Sequence, residues 1–348
     1  MKIFSSSSSV KTYQPRQAGL SLLELMIALA LSSFLLLGVF QIFNANITSS
    51  NLQRAYSRVQ ENGRIATELI ARDIRMTGYW GCKSAAITKA ITDAKSPAEA
   101  ELEAGKFIAI QLDTNDGDFS KEIIPTGTGS ITGTDNTTNL KFDSIDVIAG
   151  SDILTLKGFI GIPGVKIDSA MVTKADPIQI QGNADIPQGM LMLIADCAGS
   201  DVFTNTESDT NGTKFIRHVK TSLAGNKMID NKEDTLSHVY DSSALLMVAF
   251  IKTYFAGTNS AGDSSLYVRS DGINTELVRG ITDLQFIYGK DTNGDIAVDT
   301  FEVANTSTME QVRSIRVSIE AQSDSNISNG APLTRTYTAT ANVRNKTI

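Results

Sequence analysis

The stretch LSLLELMIALALSSFLLLGVFQIF, from Leu20 to Phe43, carries a single charged residue, Glu24, and no further charge appears until Arg54. At 1.5 Å per residue, a helix of this stretch crosses a hydrocarbon layer of about 30 Å. Before it, residues 1–19 read MKIFSSSSSVKTYQPRQAG, with Lys2, Lys11, Arg16, a serine run and no acidic residue. That composition reads as a polar, positively charged leader held on the cytoplasmic side of a membrane, not as a folding unit.

Three readings of the apolar stretch compete. A secretory signal has a shorter apolar core followed by a small-residue cleavage site. Ala28-Leu29-Ala30 mimics such a site, but the apolar run continues well past it. A plain membrane anchor accounts for the length and leaves Glu24 unexplained, because a carboxylate inside an apolar segment is costly and marks a function.

Gly19, then Leu20-Ser21-Leu22-Leu23-Glu24, then the continuous apolar stripe resemble the class III signal of type IV prepilins and pseudopilins. The resemblance implies that a prepilin peptidase cuts after Gly19 and methylates the new N-terminal residue, Leu20. It also implies that Glu24, the fifth mature residue, pairs with the N-terminal amine of a neighbouring subunit. A buried carboxylate opposite a new ammonium is a compensated charge, whereas an unpaired one is not. Leucine stands at position 20 where the family usually has phenylalanine. The outermost tip subunit of such filaments often lacks the glutamate, so the resemblance implies that this chain sits beneath another subunit.

The rest of the chain changes character twice. Beyond Phe43 a helical spacing persists through Leu52, Tyr56, Val59, Ala66, Ile70 and Ile74, with Glu61, Arg64, Glu68 and Arg72 set for pairs three and four apart. Gly78 is the expected stop. After it the composition turns to Thr, Ser, Asn, Asp and Gly around short β-branched runs, which predicts strands separated by turns. Strands are expected at 106–111, 146–148, 152–157, 190–195, 244–255, 265–269, 284–288, 313–321 and 334–343, with 113–145 an exposed loop or hairpin excursion. The fold class is therefore α+β, a long N-terminal helix packed on a β-rich domain. Its parts are a cleaved leader at 1–19, an assembly helix at 20–77 with a membrane-spanning first half, and a globular region at 78–348 with room for two lobes.

Composition sets further bounds. With 348 residues, 41% apolar and 20% charged, the chain can close a sizeable core, and a net charge of −7 argues against a broad nucleic-acid-binding surface. Its two cysteines, Cys82 and Cys197, cannot form a four-thiolate zinc site and have no C-x-x-C spacing; a disulfide and two free thiols both stay open.

Several stretches resemble PilW-type minor pilins: GYWGC at 78–82, QGMLMLIADCAGSDVF at 188–203, SLYVR at 265–269, ELVRGITDLQFIYGKDTNGD at 276–295, the RSIRVSIEA strand and the terminal TATANVRN. This resemblance implies a pilin-like fold and a low-copy pilus subunit that joins other minor pilins and the major pilin, primes assembly and sits near the tip with a large adhesin. It implies processing by the prepilin peptidase and insertion in inner-membrane lipid, with a single pass and a periplasmic C-terminal domain that reaches the cell surface on the pilus tip. The family pattern also pairs Cys82 with Cys197. A minor pseudopilin of a type II secretion system shares the signal and the glutamate and is the close alternative. A membrane-anchored adhesin or binding module is the more distant one.

Catalytic motifs are missing. Only His218 and His238 occur, and the sequence holds no H-E-x-x-H, G-x-S-x-G or G-x-x-x-x-G-K-[ST]. The reading is a non-enzyme without a required cofactor. One stretch suits calcium: Asp291, Asn293 and Asp295 alternate around Gly294, and Asp299 follows, offering hard oxygen ligands. It lacks the sixth-position glycine and twelfth-position glutamate of an EF-hand, and the same residues suit an ordinary Asp/Asn/Gly hairpin turn. Asp113, Asn115, Asp116 and Asp118 form a weaker version.

Overall fold

The computed structural model describes residues 21–79, 107–110, 130–184, 186–196, 199–207, 213–220, 231–270, 272–304, 306–326 and 331–346. The chain divides into two units, Met1–Arg54 and Ala55–Ile348. One helix, α1, spans Leu22–Met76 and contributes to both.

Strands follow in chain order. The first are β1 Phe107–Ile110, β2 Ile131–Thr134, β3 Lys141–Phe142, β4 Ile145–Val147 and β5 Ile153–Gly161. Next come β6 Lys166–Ile167, β7 Ile178–Ala184, β8 Leu191–Ala195, β9 Gly199–Thr204 and β10 Thr213–Ile216. The remainder are β11 Leu245–Thr258, β12 Ser264–Ser270, β13 Ile273–Arg279, β14 Ile281–Lys290, β15 Thr300–Glu302, β16 Val312–Asn326 and β17 Pro332–Asn342.

Among the described residues these strands form three sheets. The largest is organised on β11, which is 14 residues long. Residues Met247 and Val248 pair with both β5 and β8, and Thr253 and Tyr254 with both β5 and β12. A strand has only two edges, so β8 and β12 share one edge of β11 while β5 and β4 share the other. β9 extends the sheet beyond β8, and β1 lies parallel to β9. The second sheet runs β10-β7-β6, and the third runs β15-β14-β16-β17.

The second unit has two principal cores. The first gathers Val59, Ala66, Ile70 and Ile74 of α1 with Leu154, Leu156, Leu284, Phe286, Val317 and Ile319. Burying each such Val, Ile, Leu or Phe side chain contributes about 1.5–3 kcal/mol. The second gathers Ile178, Ile180, Met192, Ile194, Phe203, Ile216 and Tyr240 around the small sheet and β8.

The buried positions of α1 follow the spacing of three and four that its apolar residues show. On the outer face Arg64 meets Glu68 at 3.1 Å, one of the expected pairs four apart. The helix ends where the glycine stop was expected: Gly78 has φ +70°, a left-handed conformation that favours glycine. Its N–H donates to Lys157 O at 3.2 Å, and Asn345 Nδ2 donates to Thr77 O at 3.0 Å. Asn345, which also reaches Met76 O at 3.4 Å, thus supplies a donor to carbonyls left over at the helix end.

Of the exposed loop or hairpin excursion expected at 113–145, the described part holds the β3–β4 hairpin with 138–141 exposed, but residues 131–134 correct it. β2 pairs with β5 from Ile131↔Leu156 to Thr134↔Ile153, and Ile131 is completely buried in the first core. One apolar residue among Thr and Gly gives no alternation to read, and the strand exists because β5 offers it an edge.

Candidate functional site

In the first unit every residue from 21 to 49 is exposed, Leu22 by 79%, and the apolar side chains surround the helix. A helix that is hydrophobic all round belongs among other apolar groups, either lipid or other helices. Its length and composition suffice to cross a membrane. Glu24 lies in the first turn, where the helix dipole favours an acid. Ser21 precedes the helix, and its Oγ accepts from Leu23 N at 3.3 Å. Ser21-x-x-Glu24 is also the spacing of a capping box. Gly19 and Leu20 lie outside the described residues.

In the second unit α1 is fixed by contacts that the sequence did not announce. Asp73, on the buried face, accepts from Lys252 Nζ at 2.6 Å and from Tyr254 Oη at 2.5 Å, both on β11. Burial alone raises the Asp73 carboxyl, but the hydrogen bonds from Lys252 and Tyr254 and the charges of Lys252 and Arg72 outweigh it and hold the group below its ordinary value. The readable signal was an aspartate within the stripe Ile70, Asp73, Ile74, Thr77. A carboxylate on an apolar face needs a partner. Nearby, Asn62 Nδ2 donates to Arg279 O at 3.0 Å. At Gly63 an added Cβ would stand 2.1 Å from Cδ2 of Tyr337, so only glycine lets this ring lie on the helix.

The Asp291 loop, between β14 and β15, is closed by its own side chains. Asp291 accepts from Gly294 N at 2.6 Å and Ile296 N at 3.1 Å, and Arg313 Nη2 lies 3.2 Å from its Oδ2. Asp299 accepts from Thr292 N and Oγ1, both at 2.8 Å, and from Asn293 Nδ2 at 3.3 Å. Asn293 also donates to Asp295 at 3.2 Å. The structure therefore brings Asp291, Asn293, Asp295 and Asp299 into one turn. Among the described residues no group of three or more His, Cys, Asp or Glu is gathered to hold a metal ion. Asp113, Asn115, Asp116 and Asp118 lie outside the described residues, as do Cys82 and Cys197.

The two histidines sit in the part of the domain around the second core. His218 is 2% exposed, its Nε2 lies 3.0 Å from Asp176 O, and burial pushes its imidazole below the ordinary value. His238 Nε2 lies 3.0 Å from Asp196 Oδ2. Beside it, buried Asp201 accepts from Ser237 Oγ at 2.6 Å and Tyr240 Oη at 2.7 Å. Ser237 Oγ lies 2.6 Å from Asp201 Oδ2 and 3.2 Å from His238 Nδ1, so a serine, a histidine and two aspartates are close together, and the bonds to Asp201 pin segment 231–244 to β9. These contacts anchor the segment to the sheet.

Two stretches of the chain match known families. Residues 14–40 match the prokaryotic N-terminal methylation motif. Residues 253–347 match type IV pilus-assembly protein W. No curated protein and no solved structure matches the chain. A methylation motif running into an all-round apolar helix, followed by a β-rich domain, is an arrangement similar to that of type IV pilins. Together the two matches support a type IV pilus minor pilin of the PilW-like kind. The matched C-terminal stretch holds the whole β15-β14-β16-β17 sheet against which α1 packs, whereas the second core, Ile167 to Leu246, falls outside both matches.

Proposed function

We propose that the chain is a non-catalytic minor subunit of a type IV pilus that joins other minor pilins and the major pilin, primes filament assembly and sits near the tip beneath a larger adhesin. Prepilin peptidase cuts after Gly19 and methylates Leu20. Glu24 then pairs with the N-terminal amine of a neighbouring subunit inside the apolar environment. Before assembly the helix holds the chain in the inner membrane with residues 78–348 on the periplasmic side, where Cys82 and Cys197 close a disulfide. The observation that carries this reading is the helix apolar on every face with one acid in its first turn. A membrane anchor alone has no use for that acid.

The deciding experiment is mass spectrometry of the N-terminal peptide from membrane and sheared-surface fractions, with a strain lacking the prepilin peptidase as control. N-methylated Leu20, lost in that strain, is the expected result. An intact Met1, or a cut near Ala30, overturns the reading.

A further inference from the structure

β17 ends its sheet: among the described residues no strand pairs with its outer side. It is 11 residues long, with proline only at its first position, and its pairing with β16 is regular from Ser314↔Asn342 to Gln322↔Thr334. Natural edge strands are kept from pairing by shortness, bulges, proline or charge. Other edges here have such protection. β13 is 7 residues long, its pairing is bulged between Leu266 and Tyr267, and the Arg279 carbonyl is taken by Asn62. β15 has 3 residues.

Alongside β17 runs α1. Arg335 stands 5.3 Å over the Tyr56 ring, Tyr337 lies against Gly63, and Asn345 reaches Thr77 O. Helix and strand therefore lie side by side, with a groove of about 490 Å³ where they meet. Ile65, Leu69 and Ala339 give it an apolar floor, and Glu68, Arg72 and Arg75 stand at its rim. The exposed face is basic: Arg58, Arg64, Arg72, Arg75 and Arg335 against Glu61 and Glu68, on a chain whose net charge is −7.

We propose that β17 and this groove form a docking site for an extended, acidic segment of another protein subunit, added to the sheet as a further strand. Main-chain hydrogen bonds to β17 supply the affinity. Alternate side chains of the incoming strand fall on Ile65, Leu69 and Ala339, and its carboxylates meet the guanidinium groups of Arg72, Arg75 and Arg335, which suit them geometrically. The site lies wholly within the second unit and stands independently of how the N-terminal helix is processed.

The test uses the full-length protein in detergent micelles and two short synthetic peptides, one alternating valine with glutamate and one alternating valine with lysine. The expected result is binding of the glutamate peptide at least about tenfold tighter, with slowed amide hydrogen exchange across 333–341. The triple variant Arg72→Glu, Arg75→Glu, Arg335→Glu is expected to reverse the preference, and its binding of the lysine peptide shows that it is folded. Equal binding of both peptides, or protection that leaves 333–341 unchanged, overturns the proposal. Self-association that protects 333–341 without peptide also overturns it, by making a second copy of the chain the occupant. If the variant fails to fold, the wild-type comparison decides alone.

Discussion

Replacing Gly63 with alanine sets two physical effects against each other with opposite signs. In a helix interior alanine is favoured over glycine by about 1 kcal/mol, so helix propensity alone predicts a more stable protein. The packing predicts the reverse. The new Cβ would stand 2.1, 2.3 and 2.6 Å from Cδ2, Cε2 and Cγ of Tyr337, against the 3.4 Å at which ordinary contact begins. The ring projects from β17 onto α1, so a shift above 1 Å moves the strand off the helix or forces the ring from its rotamer. Overpacking of this kind costs about 1–3 kcal/mol. Net destabilisation of about 0–2 kcal/mol is expected, a fall in melting temperature of up to roughly 8 °C for a unit of this size. Urea unfolding of the full-length protein in micelles, followed by near-UV circular dichroism, measures it. In a Tyr337→Val background the same substitution is expected to become neutral or stabilising, because the obstructing ring is gone. A Gly63→Ala protein more stable than the parent, or an equal cost in both backgrounds, would refute the packing argument.

Glu24→Ala is expected to be cleaved normally yet to assemble poorly, since the proposed pairing needs the carboxylate and the peptidase reads the glycine. Unchanged pilus number in sheared fractions would remove that role. The lowered carboxyl of Asp73 contributes stability that is fully present above its unfolded value of about 3.8 and is lost as pH falls through the lower folded value. Asp73→Asn is therefore expected to cost about 2 kcal/mol at neutral pH, the range of a hydrogen bond to a charged group, and to flatten the acid limb of the stability curve, as read by urea unfolding at stepped pH. Non-reducing peptide mapping is expected to link Cys82 to Cys197, and their removal to cost about 4–5 kcal/mol on the chain-entropy model; two free thiols would dispose of the bridge. The Asp291 loop, closed by backbone N–H groups and Arg313, is expected to keep its melting temperature within about 1 °C when calcium is added or chelated, whereas a bound-metal loop would shift by several degrees.

What was legible from sequence was whatever a local pattern records. The apolar run, the spacing of α1 and its stop at Gly78 all follow from short-range chemistry, and β5, β8, β11, β14, β16 and β17 each overlap a β-branched or apolar run. β9 was missed because its six residues, GSDVFT, are buried throughout and mix polar with apolar, so no alternation marks them. β7 differs: its IQIQ alternates plainly, but turn residues surround it. The means by which α1 is fixed were illegible for a third reason. The partners of Asn62, Gly63 and Asp73 lie some 180 residues or more along the chain, and no local window contains them.

That separation governs the order in which the molecule can be made. The buried stripe of α1, Val59, Ala66, Ile70 and Ile74, is among the first segments synthesised, and the Asn62 contact with Arg279 must wait for 217 further residues. The cap that Asn345 places over Met76 waits for 269. Contacts of such range fold slowly, and apolar surface left uncovered meanwhile is open to association. An apolar segment held in lipid would keep the nascent helix apart from its neighbours through that interval, so the membrane can act as a holding site until the last sheet arrives.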